Sequence, residues 1–195
     1  MSDSYHHGNL RQALIDAGVK IINESGEDNL SLRKVALKCK VSHAAPYAHF
    51  KDKEELIEAI KTSVTDQFME ELGGAVEGAP SAEAAIVEMG KHYVAFFLRK
   101  PDYFKFLFGG QNITAHLQID ADSGNDYPPF VLLKKTYIKY LAENKMEKSK
   151  QEQEVELLQL WATAHGLSAI ACMSGVVPSF DWEEKIGRAS CRERV

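Results

Sequence analysis

The sequence predicts an all-α protein. Apolar residues recur at three-and-four spacing in one segment after another, a Ser, Asp or Asn stands before most of these segments as a helix cap, and no β-type alternation of useful length is read between them. The 195 residues, 45% of them hydrophobic, are enough to bury a sizeable core in one or two domains.

Taken in order, Asn9 is placed to cap a first helix whose stripe is Leu10, Ala13, Leu14, Ala17, Gly18, Ile21 and Ile22, ending near Ser25-Gly26. Ser31 caps a short second helix carrying Leu32, Val35, Ala36 and Cys39 inward. A tight turn at Lys40-Val41 follows; Ser42 then caps a third helix, His43 to His49, and Asp52 a fourth that runs from Lys53 to about Leu72. This fourth helix keeps Leu56, Ile57, Ile60, Val64, Phe68 and Leu72 on one side, and Gly73, Gly74, Gly78 and Pro80 are expected to end it. Ser81 caps the next, with Glu83 in its first turn and a stripe of Ala82, Ala85, Ile86, Met89, Tyr93, Phe96 and Phe97.

Pro101 fits the first turn of a short segment crowded with Tyr103, Phe104, Phe106, Leu107 and Phe108. Asp120 to Asp126 invites a calcium reading that its spacing rejects, because the Gly falls fifth and Val131 takes the place of the bidentate Glu; a solvated loop is expected. Tyr127, Pro128 and Pro129 open a helix bearing Phe130, Leu133, Tyr137, Ile138 and Leu141, stopping at Asn144. The last helix, about Lys150 to Ser174, has Val155, Leu158, Ala162, His165, Ala169 and Cys172 on one face and Leu157, Leu160, Trp161, Ala164, Leu167 and Ala171 on another. It is therefore expected to be buried on several sides.

Two short helices joined by a brief turn form a helix-turn-helix, whose second helix enters a DNA major groove. Ala44 and Ala45 leave little bulk there, so His43 is the base-reading candidate, while Tyr47 and His49 offer polar tips to phosphates and Lys51 and Lys53 add positive charge. Ser31 through Ala36, Val41-Ser42, and above all Tyr47-Ala48-His49-Phe50 followed by Lys51, Lys53 and Glu54 to Leu56, resemble the DNA-binding segment of the tetracycline-repressor (TetR) family of bacterial regulators. The resemblance implies a DNA-facing set of Ser31, Arg33, Ser42, His43, Ala44, Tyr47, His49, Lys51 and Lys53. It also marks two departures: Lys40 stands where the family usually places Gly, a turn residue that tends to need positive φ, and Pro46 sits inside the recognition helix.

The Tyr5-His6-His7-Gly8 lead-in is similar to one found in many TetR-like proteins, which implies an arm near the DNA; adjacent His point different ways and no third ligand is near, so no metal is expected. Trp161-Ala-Thr-Ala-His165-Gly166 resembles the Trp-x-x-x-His-Gly signature of one TetR subgroup, in which late helices pair across a twofold axis. Gly166 is then expected where another helix approaches closely, and His165 either bonds across that contact or faces the effector cavity. In the same resemblance the segment after Pro101 lies near the cavity. Met89, His92, Tyr93, Phe96, Tyr103, Phe104, Phe108, Trp161 and His165 are the implied effector set, with Gln111 a further polar candidate, although an aromatic cluster is more often plain core than a ligand cage.

Charge agrees with this division. Residues 1–53 carry a net +2 and the remainder −7, so the basic share sits in the head although the whole chain is at −5. Cys39, Cys172 and Cys191 make no CxxC pair, Cys39 and Cys172 reading as small buried apolar residues. No cofactor is expected, and with no apolar run near ~20 residues and no leader pattern the chain reads as cytoplasmic and off the membrane. The expected organisation is a three-helix DNA-binding head over 1–52, a helical effector and dimerisation domain over 53–186, and a non-native tail over 187–195, where composition shifts abruptly. The implied function is a repressor that binds a palindromic operator as a homodimer and is released by a small apolar or amphipathic effector. The alternative is an all-α ligand-binding protein or enzyme whose head only resembles a regulator; no nucleophile–base or paired-carboxylate spacing supports it.

Overall fold

A computed structural model of the chain describes residues 10–109, 113–120, 124, 126–173, 175, 176 and 179. Asn9, the Tyr5-His6-His7-Gly8 arm, Gln111, Ser174 and the 187–195 tail with Cys191 lie outside the described residues. Among those described there are seven α-helices and no strand: α1 Leu10–Ser25, α2 Leu32–Lys38, α3 Lys53–Glu77, α4 Ala82–Arg99, α5 Pro101–Phe108, α6 Pro128–Glu143 and α7 Lys150–Ala171. The caps fall where side-chain chemistry puts them. Ser31 accepts from the Lys34 N–H, Asp52 from Glu55, Ser81 from Ala84, and Ser149 from Glu152, whose carboxylate returns the bond to the Ser149 N–H.

One contiguous apolar core runs through the molecule. Near the N-terminus Leu14, Ile15, Leu30, Val35 and Phe50 close on Leu56 and Ile60 of α3; further along, Phe68 of the same helix meets Tyr93, Phe96 and Phe97 of α4 at ring-centroid distances of 4.8–4.9 Å. α4 is the central post, packed against α3, α5, α6 and α7. Gly18 lets α1 settle on α3, since a Cβ there would stand 2.6 Å from the buried Ile60 δ-methyl.

The turn after α2 is a Schellman closure. Val41 N–H bonds the Ala36 carbonyl, Lys40 N–H bonds that of Leu37, and Lys40 itself adopts φ 56°. The backbone requirement is thus the one usually met by glycine, here imposed on a lysine.

Five expectations need correction. The helix expected from His43 to His49 under a Ser42 cap is a short 3-10 helix, Ala45–Ala48, with no side-chain cap. Pro46 has no N–H to return to Ser42, so Ala45 bonds Ser42, Tyr47 bonds Ala44 and His49 bonds Pro46 at the tighter three-residue spacing. α3 does not stop at Gly73-Gly74 but continues to Glu77, because Ala75 is buried, Val76 packs on the core and Gly78 N–H closes onto Gly74. α7 is buried on one side only, along Leu157, Ala164 and Ser168, since within the chain only α4 and α6 contact it appreciably. Gly166 lies on that open side, where a Cβ would meet nothing within 4 Å, so no helix of the same chain makes a close approach there. Finally, residues 113–120 do alternate: Ile113, Ala115, Leu117 and Ile119 are half-buried and Thr114, His116, Gln118 and Asp120 exposed, in an extended strap that pairs with no strand among the described residues. Cys39 and Cys172 are only half-buried, and each thiol points at a carbonyl, of Ala13 and Phe97 respectively.

The left-handed turn generates a stability test. Lys40→Gly removes a backbone strain of ~1–2 kcal/mol against a smaller entropic loss, so its melting temperature equals or exceeds that of the parent. Lys40→Val falls by ~2–4 °C for each kcal/mol. Equal losses in both variants would contradict the assigned strain.

Candidate nucleic-acid interface and effector cleft

The head displays its polar residues because its apolar ones are consumed underneath. Val35, Ala36, Pro46 and Phe50 are buried, which turns Arg33, Lys34, Ser42, His43, Ala44, Tyr47, Ala48 and Lys51 outward; Tyr47 is 60% exposed. Ser31, His49 and Lys53 are half-exposed, Ser31 with its oxygen committed to the cap of α2. Among the described residues Arg33, Lys40 and Lys53 make no ion pair, whereas Lys38 is held by Glu24 at 2.7 Å. Lys40 and the 71%-exposed Leu37 also face solvent beside this surface, and periodicity alone had not marked either as functional. Asp52 takes the Glu55 N–H, a bond that keeps its carboxyl below the usual range.

The head is tied to the rest through α1. Asp16 Oδ1 accepts from the Tyr103 hydroxyl at 2.6 Å and from the Gln12 amide at 2.9 Å, the Asn23 amide donates to the Asp102 carbonyl at 2.7 Å, and Lys105 Nζ donates back to the Asn23 carbonyl at 2.7 Å. Burial first, and then the neighbouring Asp16 carboxylate, push the Tyr103 phenol up. Tyr103 is therefore a joint between α5 and α1, not a cavity residue.

A cleft of about 540 Å³, counting its open mouth, lies between α3, α4, α6 and α7. Of the residues expected near an effector, Met89, Tyr93 and Trp161 line it. His165 stands just behind, its Nδ1 3.1 Å from the Tyr93 hydroxyl, with Phe104 and Phe108 against its ring at 5.0 and 4.6 Å. Phe96 turns to Phe68 and Tyr103 instead. His92 falls one residue, or ~100°, around α4 from Tyr93 and so faces Glu71, 2.6 Å away, which Arg99 also holds. Burial raises the Glu71 carboxyl, but the bonds from His92 and Arg99 outweigh it and leave it below its ordinary value.

The opposite wall is made by Tyr127, Pro129, Phe130 and Leu133, residues that periodicity marked only as the start and stripe of a helix. The start of α6 is pinned to the extended strap. Tyr127 N–H donates to the Thr114 carbonyl at 2.8 Å, the buried Asp126 carboxylate holds His116 at 2.6 Å, and buried Lys134 donates to the His116 carbonyl at 2.9 Å. Asp126 thus leaves the solvated loop expected of it.

An exposed helix-turn-helix thus stands on an all-α body that holds an apolar cleft. Residues 14–60 match the family described as bacterial regulatory proteins, tetR family. The HTH-type nicotine-responsive transcriptional repressor HdnoR of Paenarthrobacter nicotinovorans is 34% identical over 74 residues, which cover 38% of each chain. A solved protein of unknown function from Rhodococcus sp. RHA1 is 26% identical with a TM-score of 0.69 over 97% of this chain and 95% of its own. A TetR/AcrR-family transcriptional regulator from Thermobifida fusca YX-ER1, 17% identical, superposes with a TM-score of 0.59 over 95% and 98% of the two chains, a likeness of fold. The likeness to the tetR family is carried by residues 14–60, about a quarter of the chain, while the whole chain shares the fold of the solved neighbours.

Burial lowers the His165 pKa, so the folded protein keeps this imidazole neutral while the unfolded chain accepts a proton near pH 6.5. Stability contributed here is present above that value and lost as pH falls through it. The melting temperature is expected to drop between pH 7.5 and 5.5, and His165→Gln to drop less; an equal drop in both would remove His165 as a cause.

Proposed function

We propose that this protein is a one-component transcription regulator, a repressor that binds a palindromic operator as a homodimer and releases it when a small molecule enters the cleft. The carrying observation is the outward, cation-bearing Ser42–Lys53 segment held on a buried Phe50 and Leu56. His43 reads base edges; Tyr47, His49, Lys51 and Lys53 meet phosphates, with Arg33, Ser42 and Ala44 on the same outward surface and Ser31 holding α2 beneath it. The head over 1–52 and the body over 53–186 act as separate functional parts on one continuous core.

The open side of α7 supports dimerisation. Val155, Leu158 and Ile170 are each more than 40% exposed there, beside the bare backbone of Gly166, which is the surface a second copy would cover. HdnoR is nicotine-responsive by name, and the stretch shared with it spans only 38% of its length, so effector control here rests on the cleft. A ligand acts by preferring a dimer whose heads no longer fit successive major grooves. The described residues contain no helix long and apolar enough to cross a membrane, and a cytoplasmic location fits the DNA partner.

With the promoter DNA beside its own gene, Lys53→Ala is expected to weaken binding to all sequences and lower the salt slope by ~1 for each phosphate that a head no longer neutralises. His43→Ala instead changes which sequences are preferred; equal weakening on operator and random DNA would reject the base-reading role. Gly166→Leu has room within the protomer, so it keeps or raises helix stability while shifting the protein toward monomer in light scattering. An unchanged dimer would take α7 out of the interface.

A further inference from the structure

The cleft has an unusual chemical balance. Its walls come from four helices, and among the described residues none of its lining side chains is an acid or a cation. Its polarity is confined to two phenols and one indole, those of Tyr93, Tyr127 and Trp161.

Two of these three are already engaged. The Tyr93 hydroxyl pairs with His165 Nδ1 at 3.1 Å, and the Trp161 indole is turned to the same Tyr93 oxygen. The third is not. Tyr127 is 9% exposed, its hydroxyl is shielded from solvent, and it has no hydrogen-bond partner. Its backbone cannot turn away to find one, because the Tyr127 N–H is fixed to Thr114 and the ring lies against Phe108 at 6.2 Å. A buried O–H without an acceptor is costly, so its retention at a cleft wall points to a partner supplied from the cleft.

We propose that the cleft binds an uncharged, largely hydrocarbon or aromatic small molecule carrying one hydrogen-bond acceptor, and that the Tyr127 hydroxyl is the donor that meets it. This rests on the reading of the cleft as the effector site and goes beyond it by fixing the ligand's charge and its one polar anchor. An anionic ligand buried here would find no cation, and a cationic one no carboxylate, so either would lose its hydration without replacement. The acceptor sits at the α6 wall opposite Tyr93, while the apolar remainder lies against Met89, Phe130 and Leu133.

The test is calorimetric titration of the full chain without DNA, using acetophenone, ethylbenzene and benzoate as probes of matched size. Acetophenone is expected to bind the parent, and Tyr127→Phe to weaken it by ~5–10-fold, the size of one hydrogen bond, while ethylbenzene changes by less than ~2-fold. Benzoate is expected to bind at least ~10-fold more weakly than acetophenone. The proposal is overturned if the variant shifts ketone and hydrocarbon alike or neither, if benzoate matches the ketone, or if neither neutral probe binds by about 1 mM.

Thermal melting supplies a second measurement. Tyr127→Phe removes only an unpartnered oxygen, so the variant melts at or above the parent; a lower melting temperature means the hydroxyl already has a partner, and the proposal falls. Operator gel shifts are scored separately. A ketone that binds through Tyr127 while DNA binding is absent overturns the regulator and leaves the cleft chemistry standing; operator binding with benzoate as the better ligand does the reverse.

Discussion

Everything in this molecule is referred to one helix. α3 begins under the Asp52 cap and runs 25 residues, about 37 Å, without a break, and its buried stripe is used twice. Leu56 and Ile60 complete the core beneath the helix-turn-helix; Phe68 and Leu72 complete the core beside the cleft. A shift of α3 at its cleft end therefore moves the support on which Phe50 and the recognition segment rest. The α1–α5 joint through Asp16 and Tyr103 is a second tie between the same parts, so head and body are braced at two points.

The cleft shows how a core becomes a site. The same α4 face that packs Phe96 and Phe97 inward presents Ile86, Met89 and Tyr93 to the cleft a turn away, whose other walls come from α3, α6 and α7. The strap over 113–120 then fixes where α6 starts. Buried Lys134 and the Asp126 carboxylate hold that fastening, Lys134 on the His116 carbonyl and Asp126 on the His116 ring.

Much of this was legible in the chain because it depends on local rules. Ser31, Asp52 and Ser81 cap helices by a side-chain oxygen three residues from its donor, a relation that sequence displays directly. The positive φ at Lys40 was legible only through the resemblance, which places Gly at that turn. What escaped depends on the third dimension. Pro46 had to be weighed as a lost rung, not a tolerated first-turn residue; Gly73-Gly74 looked like a stop only while the packing of Ala75 and Val76 was unknown. Tyr127, Phe130 and Leu133 carry the periodicity of any buried helix, so nothing in the spacing separates a cavity wall from a core. The alternation of Ile113, Ala115, Leu117 and Ile119 was present in the letters and went unread, since an extended strap without a partner strand is uncommon in a helical protein.

If α3 holds each head rigidly on its body and the bodies pair through α7, the distance between the two recognition segments is fixed. The direct measurement is affinity for duplexes carrying the two half-sites of the operator at systematically varied spacing. Rigid heads give a sharp maximum at one spacing, repeated weakly about one helical turn, ~10 base pairs, away. Affinity that stays level as the half-sites are moved apart would mean that the heads swing independently, and the continuous helix would not be what positions them.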